Sequence, residues 1–479
     1  MKRSWAVLLV LVAILGPFSE SQFTATAQQK ERPIDKLKYP PLKFLPPSPE
    51  KIELANGMTV FILEDHEIPS VNIYAMIRGG EIYDPPDKVG LADLMATVMR
   101  SGGTKSRTPE EINQKLEFVA ASVETGMADE YGTAEMSALT KDIDTALPIF
   151  ADVLMNPAFR DEQIEIARNQ AIDSLARQND TPGSIAGRIF PQLIYGKDSP
   201  LARSANEDTI KKITRDDLIQ FHQKVYHPNN VIIGISGDVN KNEIRQKVEQ
   251  AFAGWARQSL PPPPSIQLPA ASKRSIYFVH KDLNQSTVRV GHLGIKEDDP
   301  DYFAVSVAND ILGSGFSSKL VNELRTKEGL AYVAAAFQSG GMGEPGIFMT
   351  VSETRADSTT KSIDIILRVL EEMRTEPVSD TELAIAKDAA LNSFVFSYDS
   401  PSKIVNRVVE LSFYGLPLDF LQRYRDNVAK VTKEDILRVS KKYYHPDIAT
   451  VLVVGDEKQF DKPLSSIAPV TVIDLDKWK

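Results

Sequence analysis

The chain contains no cysteine. Disulfides, thiolate metal sites, catalytic thiols and a lipidated N-terminal cysteine are therefore all excluded. It also lacks a basic surplus. Lys and Arg number 55 against 65 Asp and Glu, a formal net charge of −10. That balance argues against a nucleic-acid partner, whose phosphates demand a basic surface. Only six histidines are present. Two of them, His222 and His227, lie five residues apart at a helix end, off the i, i+4 register that puts two ligands on one helix face. Beyond the N-terminus no segment is apolar enough to span a bilayer.

The 479 residues, 42% hydrophobic and 25% charged, suffice for two or more globular domains with a large core. The first 27 residues carry Lys2 and Arg3, an apolar run from Trp5 to about Pro17, and small residues at Ala25, Thr26 and Ala27. This pattern reads as a secretory signal, with an uncleaved membrane anchor as the alternative, and predicts an exported, periplasmic or secreted protein. Residues 28–50, with "YPPLKFLPPSPE", read as an extended Pro-rich arm.

The remainder is a duplication. "ITRDDLIQFHQKVYHPNNVIIGISGD", starting at Ile213, aligns without a gap to "VTKEDILRVSKKYYHPDIATVLVVGD", starting at Val431. Eight of the 26 positions are identical, against about one or two from composition alone. The pairs include Tyr226 with Tyr444, His227 with His445 and Pro228 with Pro446; histidines at these equivalent places read as capping or packing groups. In a second block Asp180, Pro182, Ile185, Arg188, Tyr195 and Gly196 match Asp399, Pro401, Ile404, Arg407, Tyr414 and Gly415. Residues 256–275 hold four consecutive prolines and predict a semi-rigid spacer between domains at 51–255 and 276–479.

Each half predicts an α+β domain. "MTVFILED" and "SVNIYAMIRGG" alternate as strands joined by a turn around Glu67, Ile68 and Pro69. "TPEEINQKLEFVAA" is a helix with Thr108 as N-cap and Pro109 at the first position. "DIDTALPIFADVLMN" and "DEQIEIARNQAIDSLARQ" are further helices, as is the segment led by Thr214; "VIIGISGD" is a buried strand. Strands followed by runs of helices predict an antiparallel-rich sheet with helices on one face.

In "GLADLMATVMRSGGT", residues 90–104, the residues Leu91, Leu94, Met95, Val98 and Met99 recur at helical spacing and predict a buried face. Asp93, Ala96, Thr97 and Arg100 recur on another face. Together with "RGGEIYDPPDKVGLADLMATVMRSGGT", "DVLMNPAFRDEQIEIARNQ", "GSGFSSKLVNELRTKEGLAYVAAAF", "SDTELAIAKDAA" and the two "YHP…GD" blocks, this stretch resembles the pitrilysin/insulinase family of zinc metallopeptidases, the inverted His-x-x-Glu-His class. The resemblance covers nearly all of the chain after residue 27. It implies paired, related α+β domains that form half of a peptide-enclosing chamber.

Residue by residue, the resemblance places the family's first zinc histidine on Asp93, the catalytic glutamate on Ala96 and the second histidine on Thr97. The later glutamate ligand falls on Ser174, which the internal repeat sets opposite Ser393. None of these four can replace a zinc ligand or a base well. Asp93 and Asp173 are the nearest carboxylates and could at most hold a hard cation weakly. No metal or other cofactor is expected in this chain, and zinc is expected in a partner subunit. The second half keeps Arg325 and Tyr332 in "LRTKEGLAY", matching the family's Arg/Tyr pair, which reaches toward a peptide over zinc. Arg supplies a fixed fork of donors and Tyr a phenolic OH, both suited to a scissile carbonyl or its oxyanion. The competing reading of the two is a surface arginine in an ion pair and a half-buried tyrosine. "GSGFSSK" just upstream predicts a flexible loop opening a helix, with an anion cradle as the alternative.

The resemblance thus implies a non-catalytic, substrate-positioning subunit that joins a related zinc-bearing peptidase subunit and a peptide substrate. Two alternatives stand beside it: a structural or assembly protein of this fold, and a stand-alone peptide-binding protein that grips extended peptides by strand addition.

Overall fold

Alternation of apolar and polar residues builds two six-stranded sheets, one from each copy of the repeat. The computed structural model describes residues 45–478 apart from 261, 263, 270–272 and 340, so residues 1–27 and most of the 28–50 arm lie outside the described residues. In chain order the first half forms β1 (Glu50–Glu53), β2 (Thr59–Glu64), β3 (Ser70–Arg78), α1 (Leu91–Ser101), α2 (Pro109–Phe118), β4 (Ser122–Met127), β5 (Tyr131–Leu139), α3 (Ile143–Met155), α4 (Asp161–Ala176), α5 (Pro182–Tyr195), α6 (Glu207–Lys212), α7 (Arg215–Val225), β6 (Val231–Gly237) and α8 (Lys241–Ala251). The arm's last residue, Glu50, already belongs to the first strand.

The second half forms β7 (Ser275–His280), β8 (Gln285–Leu293), α9 (Tyr302–Gly313), a π-helix (Val321–Lys327), β9 (Ala331–Gln338), β10 (Ile347–Arg355), α10 (Thr359–Thr375), α11 (Asp380–Ser397), α12 (Pro401–Tyr414), α13 (Phe420–Lys430), α14 (Lys433–Tyr443), β11 (Thr450–Gly455) and β12 (Val470–Val472). Between α8 and β7 the described residues include no helix or strand.

The sheet orders are β1-β2-β6-β3-β5-β4 and β12-β7-β11-β8-β10-β9, so five strands of each correspond one to one. In both sheets a single central pair is parallel, β2 with β6 and β7 with β11, and the pairs beyond it toward β4 and β9 are antiparallel. The first edge strands differ. β1 pairs antiparallel with β2, whereas β12 returns from the C-terminal end to pair parallel with β7.

Helix starts follow the predicted chemistry. Thr108 closes a capping box with Glu111, and the repeat-related Thr214 and Thr432 do the same with Asp217 and Asp435. These reciprocal bonds satisfy amide groups that the first helical turn leaves without partners.

Helices do not stay on one face of each sheet. Val231, Ile233 and Ile235 of β6 point into the core of the first half. The intervening Gly234 and Ser236 face α12, a helix of the second half: a Cβ at Gly234 would overlap Val405 and come within 2.8 Å of Val409, and the Ser236 hydroxyl lies 2.9 Å from that of Ser402. Reciprocally, Ile185, Ile189, Phe190 and Ile194 of α5 form a cluster with Val279, Leu452 and Val454 of the second sheet. The two helices are the repeat-related block beginning at Pro182 and Pro401. Thr181 and Ser400 cap their starts, and Gly196 and Gly415 end them. Each half thus covers the second face of the other's sheet.

Candidate functional site

Helix α1 places its predicted apolar face in the core: Leu91, Leu94, Met95, Val98 and Met99 are all buried. Asp84 fixes the start of the helix, its carboxylate accepting from the backbone N–H of Gly90 at 2.8 Å and of Ala92 at 2.9 Å. On the other face Asp93 and Thr97 are exposed, one turn apart. Ala96, grouped by spacing with Asp93 and Thr97, is instead fully buried, with Thr125 of β4 donating to its carbonyl at 2.8 Å. Ser174 and Asp173 are exposed on α4, which packs against α1.

This face is rich in carboxyls that sequence reasoning did not single out. Glu81, in the short 3₁₀ turn after β3, has its pKa pushed up to about 7, first by burial and then by the charges of Asp93, Asp129 and Asp84. Desolvation by the surrounding protein raises Asp93 and Asp129 although both remain solvent-exposed, likewise raises the half-buried Glu130, and holds the buried Asp84 at about 6. Tyr414 of α12 donates to Glu130 at 3.3 Å. Glu81 and Asp84 were visible inside the "RGGEIYDPPD" stretch, but only the fold brings the β4–β5 turn residues Asp129 and Glu130 beside them.

The histidines singled out in the sequence, His222, His227 and His445, are packing groups, whereas His66 and His280 form exposed ion pairs. His222 donates Nε2 to the Leu154 carbonyl at 2.8 Å and stacks on Tyr226, and burial lowers its pKa to about 4. His227 lies 2.6 Å from the Gln223 carbonyl near the end of α7. His445 accepts no place in a ligand cluster; its backbone N–H donates to His292 at 3.0 Å. Among the described residues the one group of three or more potential ligands close together is His280, Asp456 and Glu457, away from α1 and on a largely exposed edge.

In the second half Arg325 and Tyr332 come together. The guanidinium carbon of Arg325 lies 5.3 Å from the Tyr332 ring centroid and 5.3 Å from that of Phe316, within cation–π range of both. Tyr332 is 76% exposed and Phe316 78%. Among the described residues Arg325 has no ion pair, which differs from the surface-pair alternative. Phe316 was hidden in "GSGFSSK", where only the loop character was read.

Two backbone irregularities aim these side chains. Val321–Lys327 forms a π-helix rather than the α-helix expected after the loop, with the Glu328 N–H donating to the Glu323 carbonyl at 3.2 Å. Such segments are rare and concentrate at functional sites. Glu323 anchors it by ion pairs to Lys327 at 2.5 Å and to Arg368 of α10 at 2.6 Å. Gly329 then takes φ +63°, and the Leu330 N–H returns to the Leu324 carbonyl at 2.8 Å. In the β9–β10 ladder Val333 pairs with Glu353 and Ala331 with Thr354, leaving Tyr332 as the extra residue of a β-bulge. A bulge re-aims the side chain it carries. Among the described residues β9 is also the edge of its sheet, with no strand paired on its other side.

Sequence profiles match both halves: the insulinase (peptidase family M16) profile over residues 59–195 and the peptidase M16 inactive domain profile over residues 212–390. The chain belongs to the peptidase M16 family. Its relatives include the Helicobacter pylori non-peptidase homolog YmxG, 25% identical over 83% of this chain and 91% of that protein. A Streptomyces coelicolor protein described as an uncharacterized zinc protease is 25% identical over 71% of this chain and 75% of its own length. A crystal structure of a peptidase M16 inactive domain from Pseudomonas fluorescens superposes with a TM-score of 0.78 at 27% identity, covering 85% of this chain and 98% of that one.

Against the M16 zinc motif the donor set of this chain does not fit. At the four positions onto which the sequence resemblance carries the motif, Ala96 offers a buried methyl, Thr97 and Ser174 offer neutral hydroxyls, and Asp93 is the single carboxylate. Zinc sites of this class need imidazole and carboxylate ligands. The chain is an M16 member without the family's catalytic groups. No helix among the described residues is long and apolar enough to cross a membrane.

Proposed function

We propose that this chain is the non-catalytic, substrate-positioning subunit of an exported heteromeric zinc endopeptidase. A related partner supplies zinc and the general base, and this chain supplies Arg325 and Tyr332. The observation that carries the reading is the pairing of these two exposed side chains, held by a π-helix and a β-bulge, on a chain whose own metal positions read Asp93, Ala96, Thr97 and Ser174. A protein with a purely structural role has no use for an arginine that, among the described residues, has no ion pair and stands beside an exposed tyrosine. Export follows from the signal-like first 27 residues, and peptide processing or degradation from the chamber that the M16 fold forms in pairs.

Arg325 would orient the peptide through its planar fork, and the Tyr332 hydroxyl would donate to the carbonyl oxygen as charge develops there. The reading is tested by purifying the chain with a zinc-bearing M16 partner. Peptide turnover should require both subunits, and full turnover by the partner alone would overturn it.

A second reading rests on β9. Its free edge offers backbone donors and acceptors to an extended peptide, so the chain could hold peptides by strand addition without any partner. Peptide binding by the isolated chain, with no gain in turnover on adding a partner, would favour it.

A further inference from the structure

The helix pair α9 and α11 stands in the second half where α1 and α4 stand in the first, with Ser393 as the counterpart of Ser174. Between the two lies a cavity of about 230 Å³. It falls below the roughly 300–1,000 Å³ of drug-sized ligand sites, so it suits a single side chain. On α11 its wall is mostly small, with Ala386, Ala389, Ala390 and Ser393 at helical spacing and the larger Ile385 beside them. Asp310, in the last turn of α9, and Glu382, in the first turn of α11, supply its carboxylates.

The two carboxylates differ in what they already hold. Glu382 is ion-paired with Lys319 at 2.7 Å and closes the capping box with Ser379. Asp310 has no cation within ion-pair distance among the described residues. Burial pushes its pKa up to about 6, opposed by a hydrogen bond from Ser314. At neutral pH it is therefore largely an ionised group in a partly dry slot without a counter-charge, a state that binding of a cation relieves. The fully buried Tyr444 hydroxyl feels the Asp310 charge and has no hydrogen-bond partner among the described residues.

The loop that lines the slot also reaches the Arg325 site. Gly315 and Ser317 line the cavity, and between them Phe316 lies within cation–π range of Arg325. A peptide held at Arg325 and Tyr332 can therefore reach the slot with a neighbouring side chain. Small apolar walls suit a methylene stem, and a carboxylate suits its charged tip.

We propose that the slot between α9 and α11 is a side-chain subsite that selects lysine or arginine in the bound peptide, with Asp310 as the specificity-determining group. This inference rests on the reading that Arg325 and Tyr332 hold a peptide. It is tested by titrating the full chain with a fluorescein-labelled peptide containing one lysine, and with the same peptide carrying norleucine instead. Wild type should bind the lysine peptide at least tenfold more tightly. Asp310→Asn should erase that preference by weakening the lysine peptide to the level of the norleucine peptide or below. Ala389→Leu, on an exposed position that narrows the slot without touching its charge, should weaken the lysine peptide toward the norleucine level. Arg325→Ala should weaken both peptides alike. Equal binding of the two peptides by wild type, or a preference that survives Asp310→Asn, overturns the subsite alone. Failure of either peptide to bind, or binding indifferent to Arg325→Ala, overturns the peptide-holding reading and the subsite with it.

Discussion

The guanidinium of Arg325 lies 5.3 Å from the ring of Tyr332, although the two residues belong to different elements separated by the Gly329 turn. The contact brings a fixed positive charge beside a phenolic donor, both open to solvent. Removing a single preorganised oxyanion donor typically costs on the order of 10²–10³ in turnover. Tyr332→Phe in the complex with a zinc-bearing partner should therefore lower turnover on that scale while assembly stays normal. Arg325→Ala should do likewise and also weaken peptide binding. Wild-type turnover in both variants, with the complex intact by size-exclusion chromatography, would leave the assembly-protein reading as the better one.

The purified chain should retain no stoichiometric zinc. Asp93 alone among the four motif positions offers a ligand of the right chemistry, and one carboxylate does not hold zinc against dialysis. Elemental analysis checks this. About one zinc per chain, lost on Asp93→Ala, would contradict it.

Much of this site was legible beforehand, and the misses have physical causes. The spacing of Leu91, Leu94, Met95, Val98 and Met99 gave the buried face of α1 because a helix packed on one side leaves a 3.6-residue signature. Spacing groups Ala96 with the exposed Asp93 and Thr97, because periodicity cannot see β4 lying against it. Arg325 and Tyr332 could be named, but not their contact with Phe316. The π-helix and the bulge that create that contact depend on hydrogen bonds to Leu324, Glu353 and Thr354 that no local pattern encodes. Likewise the repeat block at Pro182 and Pro401 was evident as a repeat, while its apolar faces gave no sign that each covers the other half's sheet.

Stability should depend on pH through Glu81. Its folded pKa of about 7 exceeds the ordinary value of 4.5, so the folded state holds more protons than the unfolded state between those values. Stability contributed at this group is therefore full below about pH 4.5 and falls as pH rises through 7. Glu81→Gln should be more stable than wild type at pH 8 by about 1–3 kcal/mol and nearly equal to it at pH 4.5. Urea unfolding at the two pH values reads the difference, and identical pH slopes for both proteins would refute it.

The reciprocal helices yield a matched pair of glycine substitutions. Gly234→Ala inserts a methyl into Val405 and Val409 and should destabilise by about 1–3 kcal/mol. Gly187, inside α5, has its nearest neighbour at Arg289, 3.9 Å from an added Cβ. Gly187→Ala should therefore stabilise by about 0.5–1 kcal/mol through helix propensity. Thermal unfolding of both variants checks the opposite signs.

The exchange of α5 and α12 also sets a timetable. Synthesis completes the strands of the first sheet at Gly237, yet the helix that covers its second face ends only at Tyr414, deep in the other copy. Until then the nascent chain carries an uncovered sheet, the kind of surface that recruits chaperones or aggregates. The first half is therefore completed late, only after most of the second has been made. The same exchange binds their histories: neither copy of the duplicated gene segment can be lost, or traded for a foreign one, without stripping the survivor of its cover.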